Sequence, residues 1–561
     1  MTSGADDEQV PRKRAGAQRR KKKTSGISYE HPVAFWYGVA MVTIGVILQL
    51  PMYYMARKNH HHLAGMAITP EMAVGMVMIF AGIAAAIYGL FPRDPPPSAE
   101  WTSHIKVTTL DDAPIKRAHI GLLLVLAVAI TIDVMKPTTL AFVAPGAAAE
   151  YGLRSPLNPH AHALPIALYP LCAVAGLVPG SFIWGWLGDR IGRRASILIA
   201  AVIFVATSTC GAMPAYWLNL ITCFVMGLGV GGMLPIAFTL MSEAIPARHR
   251  GWLMVLIGGD IAGAYIITSW LASTLAVPDR FGWRILWLVG LPTGLLLLVL
   301  NRWIPESPRF LLRYGREEEA RNVMERYGAA IVVAEADSDL AVELRLGSGF
   351  TQLLSRPFIG LTATIVLLAL SIGVIQYGFQ QWMPSNLQHL GYTAVNASEI
   401  LRDSALAGFP LSLPIALLYG FWSSKKTVII MAAVTLIALA GFVIAGNSVA
   451  RHPVLLRLLL IVPVWGIGIL NSVLAVYTAE IYPTVVRARG SGMSAAATKF
   501  GGFLVLAVVT VSITIPSVKV TALVGALPLA LAVIAVVIVG PETRRKRLER
   551  ITMEELRRAV T

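Results

Sequence analysis

Apolar runs of about 20 residues, long enough to cross a hydrocarbon core as a helix, recur along this chain. They lie at residues 33–55, 68–91, 117–143, 163–187, 194–213, 216–240, 250–275, 283–303, 358–382, 400–420, 426–446, 454–478, 489–513 and 518–540. They are too long for the strands of a membrane barrel, and a helix satisfies its own backbone polar groups, as lipid requires. The pattern predicts an all-α integral membrane protein of fourteen spans. Short polar connectors separate most of them, but two gaps are longer. One, FPRDPPPSAEWTSHIKVTTLDDAPIKR, carries prolines and mixed charges and reads as a cytoplasmic linker over 92–116. The other, 304–357, contains EEEARNVMERY, which has the charge pattern of a surface helix. The chain thus divides into a leader (1–32), a leading helix pair (33–91), the linker, a six-helix half (117–303), an interdomain loop (304–357), a second half (358–540) and a tail (541–561).

Composition agrees. Of 561 residues, 56% are hydrophobic and 14% charged, and the mean hydropathy is +0.66, far too apolar for a water-soluble protein of this size; its surroundings are a lipid bilayer. A net charge of +16 in a soluble protein would suggest nucleic acid. Here the basic residues cluster in the leader (Arg12, Lys13, Arg14, Arg19, Arg20, Lys21, Lys22, Lys23), after every second span, and in the tail (Arg544, Arg545, Lys546, Arg547). That is the ordinary topology signal, which puts both ends in the cytoplasm and predicts no nucleic-acid partner. The run 33–55 is too long for a signal-peptide core and no small-residue cleavage site follows it, so it is expected to be retained. Cys172, Cys210 and Cys223 all fall within spans, which implies packing and no disulfide framework.

The two halves also repeat in sequence. Core helix four ends in SEAIPARHRG (242–251) and core helix ten in AEIYPTVVRARG (479–490); helix six is followed by PES (305–307) and helix twelve by PET (541–543). Repeated six-helix halves suggest a pseudo-symmetric transporter with its site between them.

After core helix two comes GWLGDRIGRR (185–194). Gly185 and Gly188 allow close helix approach, Asp189 can cap the following helix, and Arg190, Arg193 and Arg194 hold the loop on the cytoplasmic side. In this setting the stretch resembles the G-x-x-x-D-R-x-G-R-R signature of the major facilitator superfamily. IPESPRFLLRYGREEEA (304–320), GLGVGGMLPIAFTLMSEAIPARHRG (227–251) and PETRRKRLE (541–549) look like segments of its sugar-porter and organic-ion branches. The resemblance covers about 117–550, without the leading pair, and implies the major facilitator fold. It also implies a cytoplasmic gate, carried over to Gly185, Asp189, Arg190, Arg193, Glu243, Arg250, Glu306, Arg309, Glu480, Arg487 and Arg489. Two departures count against a sugar porter. The loop YGFWSSKKT (419–427) keeps Lys425 and Lys426 but lacks the motif's aspartate, which predicts a weaker interlock in the second half, and Cys223 stands where the fourth helix usually begins with arginine.

Charges inside the spans carry the candidate chemistry, because a charge at mid-membrane is costly unless paired or facing water. TIDVMKPTTLAF (131–142) places Asp133 and Lys136 one turn apart in core helix one. Either they form an internal i,i+3 ion pair, or Asp133 carries a proton; the aromatic-acid and organic-ion branches also have an acid in this helix. Aligning the repeats at Gly251 and Gly490 sets Asp260 of helix five opposite Lys499 of helix eleven. They are expected either to pair across the cavity or to be satisfied locally. Lys499 lies in ATKFGG (497–502), resembling organic-anion carriers with a cation ahead of glycine there. Lys136 and Lys499 together favour an anionic substrate. Gln376, Tyr377 and Gln380 of helix seven and Asn471 of helix ten suit an oxygenated or aromatic solute, or equally bond helix to helix.

Other features carry less chemistry. His60, His61 and His62 have no acid or cysteine beside them and read as a solvated run. The glycines of MGLGVGG (226–232) follow no strand and read as helix packing, not a phosphate loop. Neither a nucleophile with a base nor a metal-ligand spacing emerges, so no enzyme is expected. No nucleotide site appears, so no cofactor is expected and the energy source should be a proton gradient. The sequence therefore reads as a monomeric secondary transporter of the bacterial inner membrane, moving a small organic anion by proton-coupled alternating access. Asp133 and Asp260 serve proton coupling in this reading; Lys136, Gln376, Tyr377, Gln380, Asn471 and Lys499 serve the substrate. The alternatives are an exporter of an amphiphile, drug or envelope lipid, and a transporter-like receptor that does not transport.

Overall fold

The computed structural model describes residues 31–58, 62–91, 110–154, 163–276, 281–330, 349–544 and 546, apart from 357, 384–385, 388–389, 393, 484–485 and 513–516. The basic leader and most of the tail, with His60 and His61, lie outside them. Among the described residues, fourteen helices are long and apolar enough to cross a membrane: α1 Pro32–Met55, α2 Pro70–Leu90, α3 Arg117–Glu150, α4 Leu168–Ile191, α5 Arg193–Ala212, α6 Tyr216–Ala244, α7 Ala247–Ala272, α8 Ile285–Trp303, α9 Ile359–Gln380, α10 Glu399–Trp422, α11 Ser424–Ala445, α12 Pro453–Ile481, α13 Arg487–Val508 and α14 Val518–Val539. No strand occurs among the described residues; a single isolated bridge joins Arg154 to Pro165.

Helices α3–α8 form one half and α9–α14 the other, meeting chiefly along α4 with α13 and α7 with α10. In lipid, helices associate through close backbone approach and hydrogen bonds rather than through water exclusion. Glycine supplies that approach here: a Cβ on Gly176 of α4 would meet the Phe224 carbonyl oxygen of α6 at 2.1 Å, and one on Gly227 would meet that of Ala173. The glycines of the fourth core helix are therefore packing residues. Between the halves lie two short helices: Pro308–Arg313, buried through Leu312, and Glu317–Arg326, a surface helix that buries Ala320 and Met324.

The leading pair, α1 and α2, packs on itself and against α5. That contact explains a difference among the helices: 94% of the most apolar stretch of α5 is buried inside the protein, against 39% for its repeat partner α11, 39% for α8 and 28% for α14. Polar bonds pin the pair to the first half. The Tyr53 hydroxyl donates to the Ser208 carbonyl at 2.5 Å, and Glu150 at the end of α3 accepts from Leu63 N and Ala64 N of the α1–α2 loop at 2.6 and 3.1 Å. Glu150 also pairs with Arg284 at 2.5 Å.

Candidate functional site

A cavity lies between the halves. Its wall draws Asp133, Val134 and Pro137 from α3, Leu234 and Pro235 from α6, Gln376 and Tyr377 from α9, Asn471 and Leu474 from α12, and Ser491, Ser494, Thr498 and Lys499 from α13. Local sequence opens these helices where they line it. Pro137 has no N–H, so the Asp133 carbonyl four residues earlier loses its helical donor within the one long helix α3. Opposite, α9 widens into a π-type turn over Ile375–Gln380, a distortion that often marks functional sites and that turns Gln376 and Tyr377 to the cavity. Gly502 leaves room for the Tyr377 ring, which a Cβ there would meet at 2.2 Å.

Asp133 and Lys499 are the two charged side chains in that wall, one from each half. Asp133 is 5% exposed and its Oδ1 has no hydrogen-bond partner. Lys499 and Tyr377 are groups that interact with it electrostatically, yet no ion pair within 4.0 Å joins Asp133 to Lys499 among the described residues. An acid and a base thus face one space without neutralising each other by contact.

The structure separates three other sequence candidates, Lys136, Asp260 and Gln380, from this cavity. Lys136 neither pairs with Asp133 nor reaches the central space. Three residues further along a helix lie about 60° around it, which turns Lys136 into the first half, where it lines a small separate cavity with Thr139, Thr268 and Thr293. A Cβ on Gly290 would sit 2.6 Å from its Nζ. Asp260 does not pair with Lys499; it accepts a hydrogen bond from the Thr131 hydroxyl, a local partner on α3. Gln380 donates to the Val464 carbonyl at 3.0 Å and so ties α9 to α12 instead of facing solute. Gln376, Tyr377 and Asn471 do line the cavity.

Below the cavity, the face bearing the basic loops is locked by ion pairs. Arg193 bonds Asp189 at 3.3 Å and Glu243 at 3.0 Å. Contacts that cross between halves include Glu243 to Arg487 at 3.1 Å, Asp189 to the Arg489 backbone N–H at 3.2 Å and its guanidinium at 3.9 Å, and Arg250 to Glu480 at 3.4 Å. Gly185 and Gly492 let α4 and α13 touch between them. Arg309 donates to the Glu243 carbonyl at 3.0 Å. Arg190 stands apart: it is exposed and its guanidinium lies 5.3 Å from the ring centres of both Phe91 and Trp186, outside the ion-pair network.

The repeat extends to the acids after each half. Glu306 accepts from Arg193 N at 2.8 Å and Arg194 N at 3.2 Å, at the positive start of α5; that task falls to Glu306 and not to Asp189. Burial pushes the Glu306 carboxyl up, against the N–H groups of Ser307 and Arg193 that favour its ionised form. Glu542 does the same for α11, accepting from Ser424 N at 2.9 Å and from the hydroxyls of Ser423 and Ser424. Burial opposes ionisation there too, but the two serine hydroxyls and the N–H groups of Arg544 and Ser424 hold this carboxyl below its usual range. Serine hydroxyls, with Tyr419 and Thr543 on Glu480 at 2.9 and 2.7 Å, thus occupy the second half where the motif's aspartate is missing. Sequence reading missed Glu542 and these hydroxyls, although the PES/PET repeat contained the signal.

Comparison with known proteins fits this architecture. Residues 122–506 match the Major Facilitator Superfamily. The chain is 28% identical over 455 residues to the niacin transporter NiaP of Acinetobacter baylyi, covering 79% of this chain and 99% of that one. It is 28% identical over 414 residues to the 4-hydroxybenzoate transporter PcaK of the same organism, covering 70% and 84%. Among solved structures, the proton:xylose symporter XylE of E. coli bound to 6-bromo-6-deoxy-D-glucose superposes with a TM-score of 0.65 at 19% identity, over 78% of this chain and 98% of that one, a likeness of fold. The chain belongs to the major facilitator superfamily, a family of membrane transporters and not of enzymes.

Proposed function

We propose that this protein moves a small organic anion, an aromatic monocarboxylate fitting best, by proton-coupled alternating access. The observation that carries the reading is the cavity between the halves, with Asp133 on one wall and Lys499 on the other and no direct bond between them. The Lys499 ammonium is placed to hold a carboxylate, Gln376 and Asn471 to bond its oxygens, and Tyr377 to lie against a ring. Asp133 is the proton carrier: as a carboxylate it competes with the substrate for Lys499, and once protonated it releases that ammonium to the anion. Proton and anion then travel together, and a proton gradient drives accumulation. The substrates named for two relatives, niacin and 4-hydroxybenzoate, are both aromatic acids, which supports the same class here. The basic loops flanking the locked face support a cytoplasmic position for it by the positive-inside rule.

The test is competition in proteoliposomes. Nicotinate and 4-hydroxybenzoate should inhibit each other's uptake, while nicotinamide, of nearly the same shape but uncharged, should inhibit at least roughly tenfold less, the worth of one charge-assisted bond. Equal inhibition by acid and amide contradicts the role given to Lys499.

A further inference from the structure

The segment joining the leading pair to the core begins and ends on the locked face. At its start Phe91 stacks under Arg190. At its end Leu110 and Ala113 are buried around Asp111, which is 4% exposed. Asp111 lies outside the family match at 122–506, yet its carboxylate sits inside the ion-pair network: Oδ1 accepts from Arg250 at 3.1 Å and Oδ2 from Arg309 at 3.3 Å, while its carbonyl accepts from Ala247 N at 3.0 Å. Arg250 reaches the second half from its other edge, through Nε to Glu480 at 3.4 Å and Nη2 to the Lys546 carbonyl at 2.7 Å.

We propose that Asp111 is a positioning residue of the gate, supplied by the extra N-terminal segment: it orients Arg250 toward Glu480 and so weights the transport cycle toward the state closed on the basic face. A buried guanidinium needs counter-charge, and losing one partner of a buried pair is strongly unfavourable. Arg250 and Arg309 are each 1% exposed, so they require Asp111 while the halves are locked. Once the halves part, water enters between them and that requirement lapses. Asp111 therefore stabilises one state of the cycle more than the other, which is what a gate residue must do. The leading pair, fixed to the first half through Tyr53 and Glu150, anchors the segment that delivers it.

The inference rests on alternating access, and the experiment separates the two. Labels replacing the exposed side chains of Glu318, on the interdomain helix whose flanking Tyr314 and Tyr327 contact Arg190 and His119 of the first half, and Lys426 of the second half, report the separation of the basic faces in the full-length protein by pulsed spin-label distances. The native chain should show a dominant short distance and a minor long one. Asp111→Asn should raise the long-distance share at least roughly tenfold, and Asp111→Glu, which keeps the charge, should give a smaller rise. Asp111→Asn combined with Glu480→Gln should open the face no more than Glu480→Gln alone, since both act through Arg250. An unchanged distribution in Asp111→Asn beside two populations in the native chain overturns the inference and leaves the transport reading standing, as does an opening in the double variant equal to the product of the single ones. A single distance in the native chain at every pH and substrate concentration overturns both. Should Asp111→Asn not fold, the Asp111→Glu measurement decides: no opening overturns the inference.

Discussion

Adding one methyl group at Gly492 should open the locked face. A Cβ there would lie 2.6 Å from the Ser181 carbonyl oxygen and 2.9 Å from Gly185 Cα, both backbone atoms of α4, so no side chain can swing aside and the two helices must separate. Overpacking of this kind costs about 1–3 kcal/mol. The clash exists only where α4 and α13 touch, so the cost falls on the closed state and shifts the equilibrium about 5- to 150-fold toward the open one. Distances between labels at Glu318 and Lys426 read the shift directly. Gly185→Ala meets its nearest atom, the Ala488 carbonyl oxygen, at 2.9 Å and the next two at 3.3 Å, so it should open the face less. Gly121→Ala, with nothing within 4 Å, should leave it unchanged. A Gly492→Ala chain as closed as the native one, or an order in which Gly121→Ala opens most, refutes the packing argument.

Three further outcomes are expected. Lys499→Gln should weaken inhibition by aromatic carboxylates at least about tenfold while leaving their amides unaffected, measured by competition in proteoliposomes. Lys136→Met removes a buried ammonium that forms no ion pair among the described residues; it should retain transport and selectivity and hold or raise the thermal midpoint, because a buried charge replaced by an apolar chain of similar length is often neutral or stabilising. Glu542, held below the usual carboxylate range, adds stability that is fully present above the ordinary glutamate value of about 4.3 and is lost as pH falls through its lower folded value. Glu542→Gln should therefore lower the thermal midpoint at neutral pH and flatten its acid limb.

Much of this was legible because lipid is an unforgiving solvent. Fourteen apolar runs could be only helices, and a charge within one, such as Asp133 or Lys499, stood out against its surroundings. The direction a side chain faces was not legible. Asp133 and Lys136 share one turn of one helix, yet 60° of rotation sends the first to the interface and the second into its own half. Asp260 and Lys499 share a repeat position, yet Thr131 lies within reach of one and not the other. Gln380 looked like Gln376 by type and spacing, but the π-type turn at Ile375–Gln380 breaks the i,i+4 register that would have put both on one face. Arg190 matched a gate motif and is instead held between aromatic rings. Asp111 was hidden for the opposite reason: in a polar linker a carboxylate is unremarkable, and only the arginines folded around it from α7 and Pro308–Arg313 give it a role.

In the proposed mechanism Asp133 carries the proton that accompanies an organic acid. Luminal pH in proteoliposomes, recorded as nicotinate or 4-hydroxybenzoate is added to the native protein and to Asp133→Asn, tests it most directly. The account predicts that the acids acidify the lumen with the native protein and not with Asp133→Asn, which should still exchange labelled substrate across the membrane. Acidification of equal size in both, or acid uptake by the native protein with no movement of protons, contradicts it.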